Sequence, residues 1–324
     1  MKQERFEQAH REEWAALEAM LAPRRKGTAG PGVPSRSEEL PEAYRRACRH
    51  LALARDRCYT AGLVQRLNGL VLAGHQALYA SAQGLGPQWG RFLAGGLPRR
   101  VRALGRPVLL AAALLLLPTA ALPPAILREP ELAYRLEDAR TLAQMEDMYR
   151  PGAMRQGRPG GAPSDVAMFG FYIWNNVRIT FQAFAGGILL GLGSVLYLLV
   201  NGVHGGVVAG HLAQVGLGPQ FWPFVATHSA PELTALALAG GAGLHLGWVL
   251  LAPGRRTRRR ALAEAARDGL PLVYGAALLD LLAACIEAFW SASPVVPPAV
   301  KLAAGAVLWT LVAGYLLLAG RRHA

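Results

Sequence analysis

The stretch Phe169–Pro253, FGFYIWNNVRITFQAFAGGILLGLGSVLYLLVNGVHGGVVAGHLAQVGLGPQFWPFVATHSAPELTALALAGGAGLHLGWVLLAP, decides how the chain is read. Its apolar runs are too long for a soluble core. Yet Asn175, Asn176, Arg178, four histidines and Glu232 are set into them. A plain membrane anchor has no need of such polarity, and ionisable groups inside a span are costly and functional by default. Glycines stand four apart at Gly187/Gly191, Gly202/Gly206/Gly210 and Gly243/Gly247, a spacing that lets membrane helices approach closely. This is the working part of a polytopic membrane protein, with the glycine-bearing spans expected to form one tight bundle.

Outside that stretch, apolar runs at 107–127, 272–290 and 299–319 are long enough to cross a hydrocarbon core of ~30 Å. Inside it, 179–200 and 230–251 give two more, and 203–217 is a short one. The expected fold class is therefore all-α: a polytopic bundle of about six transmembrane helices, with a helical cytoplasmic N-terminal domain. The layout reads as a cytoplasmic helical domain over 1–98, a first span within 99–128, an extracytoplasmic helix and loop over 129–168, and a five-span Gly-rich bundle over 169–324.

Charge sets the orientation. Residues 1–107 carry 18 basic and 9 acidic side chains, 128–178 carry seven of each, and 253–271 carry six and two. Basic flanks stay in the cytoplasm. The N-terminus, the 253–271 loop and Arg321–Arg322 all fall there only if 203–217 crosses. The net charge of +13 thus reads as orientation in a bacterial inner membrane, with the lipid bilayer as first partner and no nucleic acid.

In the N-terminal region, Phe6, Trp14, Leu17 and Leu21, then Leu40, Tyr44, Ala47, Leu51, Ala54 and Cys58, recur at helical spacing. A Pro/Gly/Arg linker over 23–37 separates the two helices, and a third covers 66–79. The charged first twenty residues predict no cleavable signal peptide. Residues 129–149 read as one amphipathic surface helix, and GLGPQFWPF, before the fourth span, as non-helical. Cys48, Cys58 and Cys285 match no metal or redox spacing.

Several blocks in order, NGLVLAGHQALY, WNNVRITFQAFAGGILLGLGS, NGVHGG, THSAPELTALALAGGAGLHLGW with a following PG and basic run, and CIEAFWS, resemble the stage II sporulation protein M family over most of 40–291. The resemblance implies a multipass inner-membrane protein that holds envelope-remodelling partners at the membrane. It also implies neighbours such as an RDD-type membrane protein, a MoxR-type AAA ATPase and von Willebrand A-domain proteins. A homo-oligomer is equally compatible with it.

The polar groups carry the rest. His228 and Glu232 are four apart, and Asp280 and Glu287 seven apart on one helical face. Asn175, Asn176 and Arg178 enter their span from the same side, so six crossings bring these groups to one depth, with Arg178 as the expected partner of the acids. Ser229 and Glu232 have capping-box spacing, which would make Glu232 a helix cap instead. Asn68 and His75 are candidate cytoplasmic contacts. Without an HExxH, paired-Cys, Walker A or Ser-nucleophile pattern, no enzyme activity, cofactor or metal is expected. Two functions lead: a non-enzymatic scaffold organising envelope partners, or a transporter or channel using the His/Glu/Asp cluster. A third, an intramembrane metalloenzyme, would draw on His204, His211, His228 or His245 with a carboxylate as zinc ligands.

Overall fold

The computed structural model describes residues 2–21, 36–79, 85–152, 155–158 and 164–321. Among these the chain is helical throughout, with no strand. Packing divides it after Gln88.

The first unit is built on α1 (Gln3–Leu21), α2 (Arg36–Asp56) and α3 (Ala61–Tyr79). The apolar spacing of its sequence is its buried face. Phe6, Trp14 and Leu17 meet Leu40, Ala47, Leu51 and Ala54 of α2 and Leu63, Leu67 and Leu70 of α3. The Trp14 indole donates to His50 Nδ1 at 3.1 Å, giving the large aromatic a polar partner inside the core. Cys58 is exposed, beyond the end of α2. The expected linker lies outside the described residues, apart from Arg36 and Ser37, which open α2.

In the second unit the chain passes from α4 (Leu85–Arg91) through a π-helical turn, Phe92–Gly96, and α5 (Leu97–Ala103) into α6 (Gly105–Arg128). Leu97 and Val101 are buried in the bundle core, with Phe92 packed against it, and the second unit begins at Trp89. The expected 129–149 helix is two, α7 (Glu131–Leu136) and α8 (Ala139–Met148). Asp138 breaks it by capping α8, accepting from the Thr141 amide at 3.0 Å. The Thr141 hydroxyl and amide together hold the Asp138 carboxyl below its ordinary range. Then come α9 (Asp165–Ala185), α10 (Leu192–Gln214), α11 (Gly218–Leu251), α12 (Arg258–Ile286) with a π-helical turn at Glu287–Ser291, and α13 (Pro298–Leu318). Five helices, α6 and α10 to α13, are long and apolar enough to cross a membrane. The 21-residue α9 carries Asp165, Asn175, Asn176, Arg178 and Gln182 and falls short by composition. It packs against α10, α11 and α12.

The expected boundaries inside the glycine-rich stretch do not hold. The run read as one span over 179–200 is a hairpin. It turns at Gly186–Ile188, with Leu190 at φ 55° and Gly191 at φ 86°. The segment 203–217 is mostly the second half of α10. Every residue of the turn is small or apolar, so hydropathy cannot register it. Gly191 permits the left-handed backbone, and Gly187 permits the approach of α11. A Cβ at Gly187 would stand 2.1 Å from the Gly243 carbonyl oxygen. GLGPQFWPF is not irregular either: from Gly218 it forms the first turns of α11, with Pro219 in the first turn, where a missing N–H is tolerated. The Gly202/Gly206/Gly210 edge meets the first span. Gly202 lies against Leu115, Gly206 against Pro118 and Gly210 against Ile126, so α6 and α10 run parallel.

One end of this unit is basic. Arg102 donates to the carbonyls of Leu316 and Ala319, both at 2.8 Å, and Arg100 pairs with Asp268 at 3.1 Å. Arg102 thereby satisfies orphan carbonyls at the end of α13. At the opposite end, α10 holds the α7–α8 segment. His204 Nδ1 is 2.8 Å from Glu137, and His211 Nε2 is 2.7 Å from Glu146.

Candidate functional site

Midway along the bundle, α6, α9, α10, α11 and α12 leave a polar cleft of about 380 Å³. From α9 it receives Asn175, Asn176 and Thr180, from α10 Asn201 and His204, from α11 Glu232, and from α12 Asp280. Leu115, Ile179, Leu233 and Leu236 form its apolar walls. The helix period makes the lining: residues three or four apart share a face, as Asn176 and Thr180 do, and Asn201 and His204. His204 is half-exposed and stands at the mouth.

The deepest group is Asp280. It is 1% exposed, and neither of its carboxylate oxygens has a hydrogen-bond partner. Thr180 is close enough to influence the carboxyl but makes no well-formed bond to it. Asn176 is also buried, with its amide nitrogen unpartnered. Unpaired polar atoms in a bilayer-depth cavity cost several kcal/mol unless water or a ligand meets them.

Glu232 links the cleft to a second group nearer the α7–α8 end. One ligand atom from each of His228, Glu232 and Glu287 lies within 4.8 Å of the others. His228 Nε2 is 3.7 Å from Glu232 Oε2, and His228 Nδ1 faces the Ser291 hydroxyl at 3.1 Å. Thr227 and Ser291 touch through their hydroxyls. The π-helical turn Glu287–Ser291 presents Glu287 and Ser291 to α11; such turns recur at functional positions. Lys301 donates to the carbonyls of Ser291 and Ser293 at 2.6 and 2.8 Å. Arg158 pairs with Asp165 at 2.7 Å and donates to the Ala288 carbonyl. Tyr149, packed edge-on against Phe221 and Phe224, completes the surround. Burial first, and the nearby Glu287 second, push its phenol well above the ordinary range, so it stays neutral.

Of the residues singled out in the sequence, Asn175, Asn176, Glu232 and Asp280 meet in the cleft, and His228 and Glu287 adjoin it through Glu232. Arg178 does not line it. Its guanidinium lies over the Trp174 ring at 4.5 Å and reaches Asn175 at 3.5 Å, and it makes no ion pair with Asp280 or Glu287. Ser229 is not an N-cap but a mid-helix residue, bonded to the Ala226 carbonyl at 3.3 Å and to the Trp309 indole at 3.1 Å. Asn68 accepts from Arg55 at 3.1 Å, and His75 is 3.5 Å from the Tyr44 hydroxyl, contacts inside the N-terminal unit. Thr180, Asn201, Ser291 and Arg158 complete the site without having been singled out, and His204, one of the four histidines noted in the sequence, joins them. The NGVHGG block holds the signal for two of them, but only once α10 is a continuous helix.

The family model described as Stage II sporulation protein M matches residues 108–292, more than half of the chain and nearly all of the five helices that line the cleft. This chain belongs to the stage II sporulation protein M family. Residues 4–80 match a separate model, a domain of unknown function (DUF8413), which coincides with the three-helix unit. The NGLVLAGHQALY block thus lies in that second model and outside the stage II sporulation protein M match, and α13 lies outside both. No curated protein and no solved structure matches the chain. It is a multipass membrane protein of the stage II sporulation protein M family, and both polar groups sit on the matched helices.

Proposed function

We propose that this protein is a cation-translocating component of the cell envelope, with Asp280 and Glu232 as the groups that take up and release the cation. One observation carries the reading: Asp280 is almost fully buried, with both oxygens unpartnered, at the floor of a cleft it shares with Glu232. A structural carboxylate inside a span is expected to be paired, and this one has room and no partner. The positive-inside rule puts the basic end in the cytoplasm of an inner-membrane protein, so the cleft faces the other side. The test is flux in proteoliposomes carrying an interior pH dye or a metal-sensitive dye. Asp280→Asn should reduce cation entry at least tenfold. Entry no faster than into protein-free liposomes overturns the reading.

The scaffold reading is supported by a different observation. The N-terminal unit has its own core and its own family model, and is thus a module suited to docking. RDD-type membrane proteins and MoxR-type ATPases are the partners to test by crosslinking in cells. Recovery of the chain without either counts against it.

A further inference from the structure

We propose that His228, Glu232 and Glu287 form a binding site for one divalent transition-metal ion, with His228 Nε2 and one oxygen from each carboxylate as ligands. The inference deepens the cation reading above by naming the class of ion.

The hydrogen bonds around His228 leave its ligating nitrogen free. The Thr227 hydroxyl donates to the Phe224 carbonyl at 2.8 Å. The Ser291 hydroxyl has its single proton for either the Ile286 carbonyl, at 3.2 Å, or Thr227. With its proton on the Ile286 carbonyl, Ser291 Oγ is placed to accept from His228 Nδ1, 3.1 Å away. In this arrangement the imidazole proton is on Nδ1, and Nε2, 3.7 Å from Glu232, is left to ligate. A metal-binding histidine is normally held this way, its other ring nitrogen donating to a fixed acceptor.

The carboxylates converge on the same point, each with an oxygen within 4.8 Å of the other and of the imidazole. Two ligands about 2.1 Å from a metal at near-tetrahedral angles stand roughly 3.4 Å apart, and the His228–Glu232 separation is 3.7 Å. Nearby cations are engaged elsewhere, Arg158 by Asp165 and Ala288, and Lys301 by two backbone carbonyls. Among the described residues, neither Glu287 nor Asp280 forms an ion pair, and Glu232 meets only His228. The independent sign is Asp280, 99% buried and unpartnered in the cleft that Glu232 shares; it offers a carboxylate to an ion moving between the two groups. One imidazole with two carboxylates suits Zn²⁺ or Mn²⁺ better than the all-oxygen shells of Mg²⁺ or Ca²⁺.

The other His/Glu group, His10, Glu13 and His50, is built differently. There His50 Nδ1 accepts the Trp14 proton, and Glu13 is paired with Arg46 at 3.3 Å.

The experiment takes the full chain in detergent, stripped with a chelator, and measures Zn²⁺ by equilibrium dialysis and Co²⁺ by its visible spectrum. The expected result is one Zn²⁺ per chain, at least 100-fold tighter than Mg²⁺, with a low-coordinate Co²⁺ spectrum. His228→Ala and the near-isosteric Glu287→Gln should each weaken binding by tenfold or more. Ser291→Ala, which removes the acceptor for Nδ1–H together with its bonds to Ile286 and Thr227, should weaken it about 10- to 100-fold. Melting of each variant in chelator shows that it is folded, and Thr310→Ala, on the exposed side of α13, should bind as the parent does. Absence of bound Zn²⁺, binding unchanged in both His228→Ala and Glu287→Gln, or binding lost only in His50→Ala overturns the inference. Zinc binding without flux overturns the translocation reading alone. Proton flux that needs Asp280 in a chain that binds no zinc overturns the metal site alone.

Discussion

The α6–α10 seam and the cleft that those two helices border with α9, α11 and α12 lie at similar depth in one bundle and are built in opposite ways. At the seam, glycines bring backbones into contact and leave no space. A Cβ at Gly202 would fall 2.3 Å from the Leu115 carbonyl oxygen, and one at Gly206 would fall 2.6 Å from that of Pro118. The polar atom at the seam, Thr119 Oγ1, is satisfied by the Leu115 and Gly202 carbonyls at 2.8 and 3.1 Å. At the cleft, polar and acidic side chains surround open volume and remain unpaired. In lipid, helix association has no hydrophobic drive between helices and relies on packing, so the seam is where this unit gains its stability. The cleft gives some of that stability up, as sites built for a ligand commonly do.

Opposite signs on substitution follow. The largest effect is expected at the seam: Gly202→Val should cost about 3 kcal/mol or more through overpacking, seen as loss of monodisperse protein in detergent. If the variant is recovered with an unchanged Tm, the contrast fails at its stronger side. Asp280→Asn should go the other way. Replacing a buried carboxyl that has no partner should raise the chelator-state Tm by an amount equivalent to ~1–3 kcal/mol, while flux is lost. A lowered Tm would mean that Asp280 is structural. A smaller loss, about 1 kcal/mol, is expected for Ser194→Ala, whose buried hydroxyl donates to the Ala183 carbonyl at 2.6 Å and ties α9 to α10.

The N-terminal unit offers a pH-dependent effect of a few degrees. Burial first, then the neighbouring His10, lowers the His50 pKa below 6.5. The unfolded chain then binds more protons than the folded one, so stability is full above pH 6.5 and falls as the pH drops toward the folded value. A fragment of residues 1–88 should melt lower at pH 5.5 than at 7.5, and His50→Gln should flatten that difference. The smallest effect belongs to Arg178→Ala on the surface, within about 0.5 kcal/mol and with flux intact. A large loss of flux would bring Arg178 back into the site.

Much of this was legible in the sequence. Long apolar runs give α6 and α13 to within a few residues, and ionisable residues in such runs mark Glu232, Asp280 and Glu287 because their cost there is so high. The hairpin at Gly186–Gly191 was hidden, since its residues are as apolar as the spans it separates. The early start of α11 was hidden by Pro219 and Pro223, which membrane helices tolerate when neighbours satisfy the freed carbonyls. Missing the hairpin split α10 across two expected spans, and with it the shared face of Asn201 and His204. Ser291 depended on a π-helical turn that no periodicity of 3.6 reveals.

That turn has a consequence for how the family can change. Between Glu287 and Ser291 the backbone is wound one residue looser than an α-helix. Loss of a single residue there would leave hydropathy, charge and span length nearly untouched. Yet closing the turn to an α-helix would change which side chains within it face α11, carrying Ser291 off His228 while the backbone beyond stayed nearly in place. A one-residue gap at 287–291 in a relative is therefore a marker, readable from an alignment alone, of a chain that has kept the bundle and given up the site.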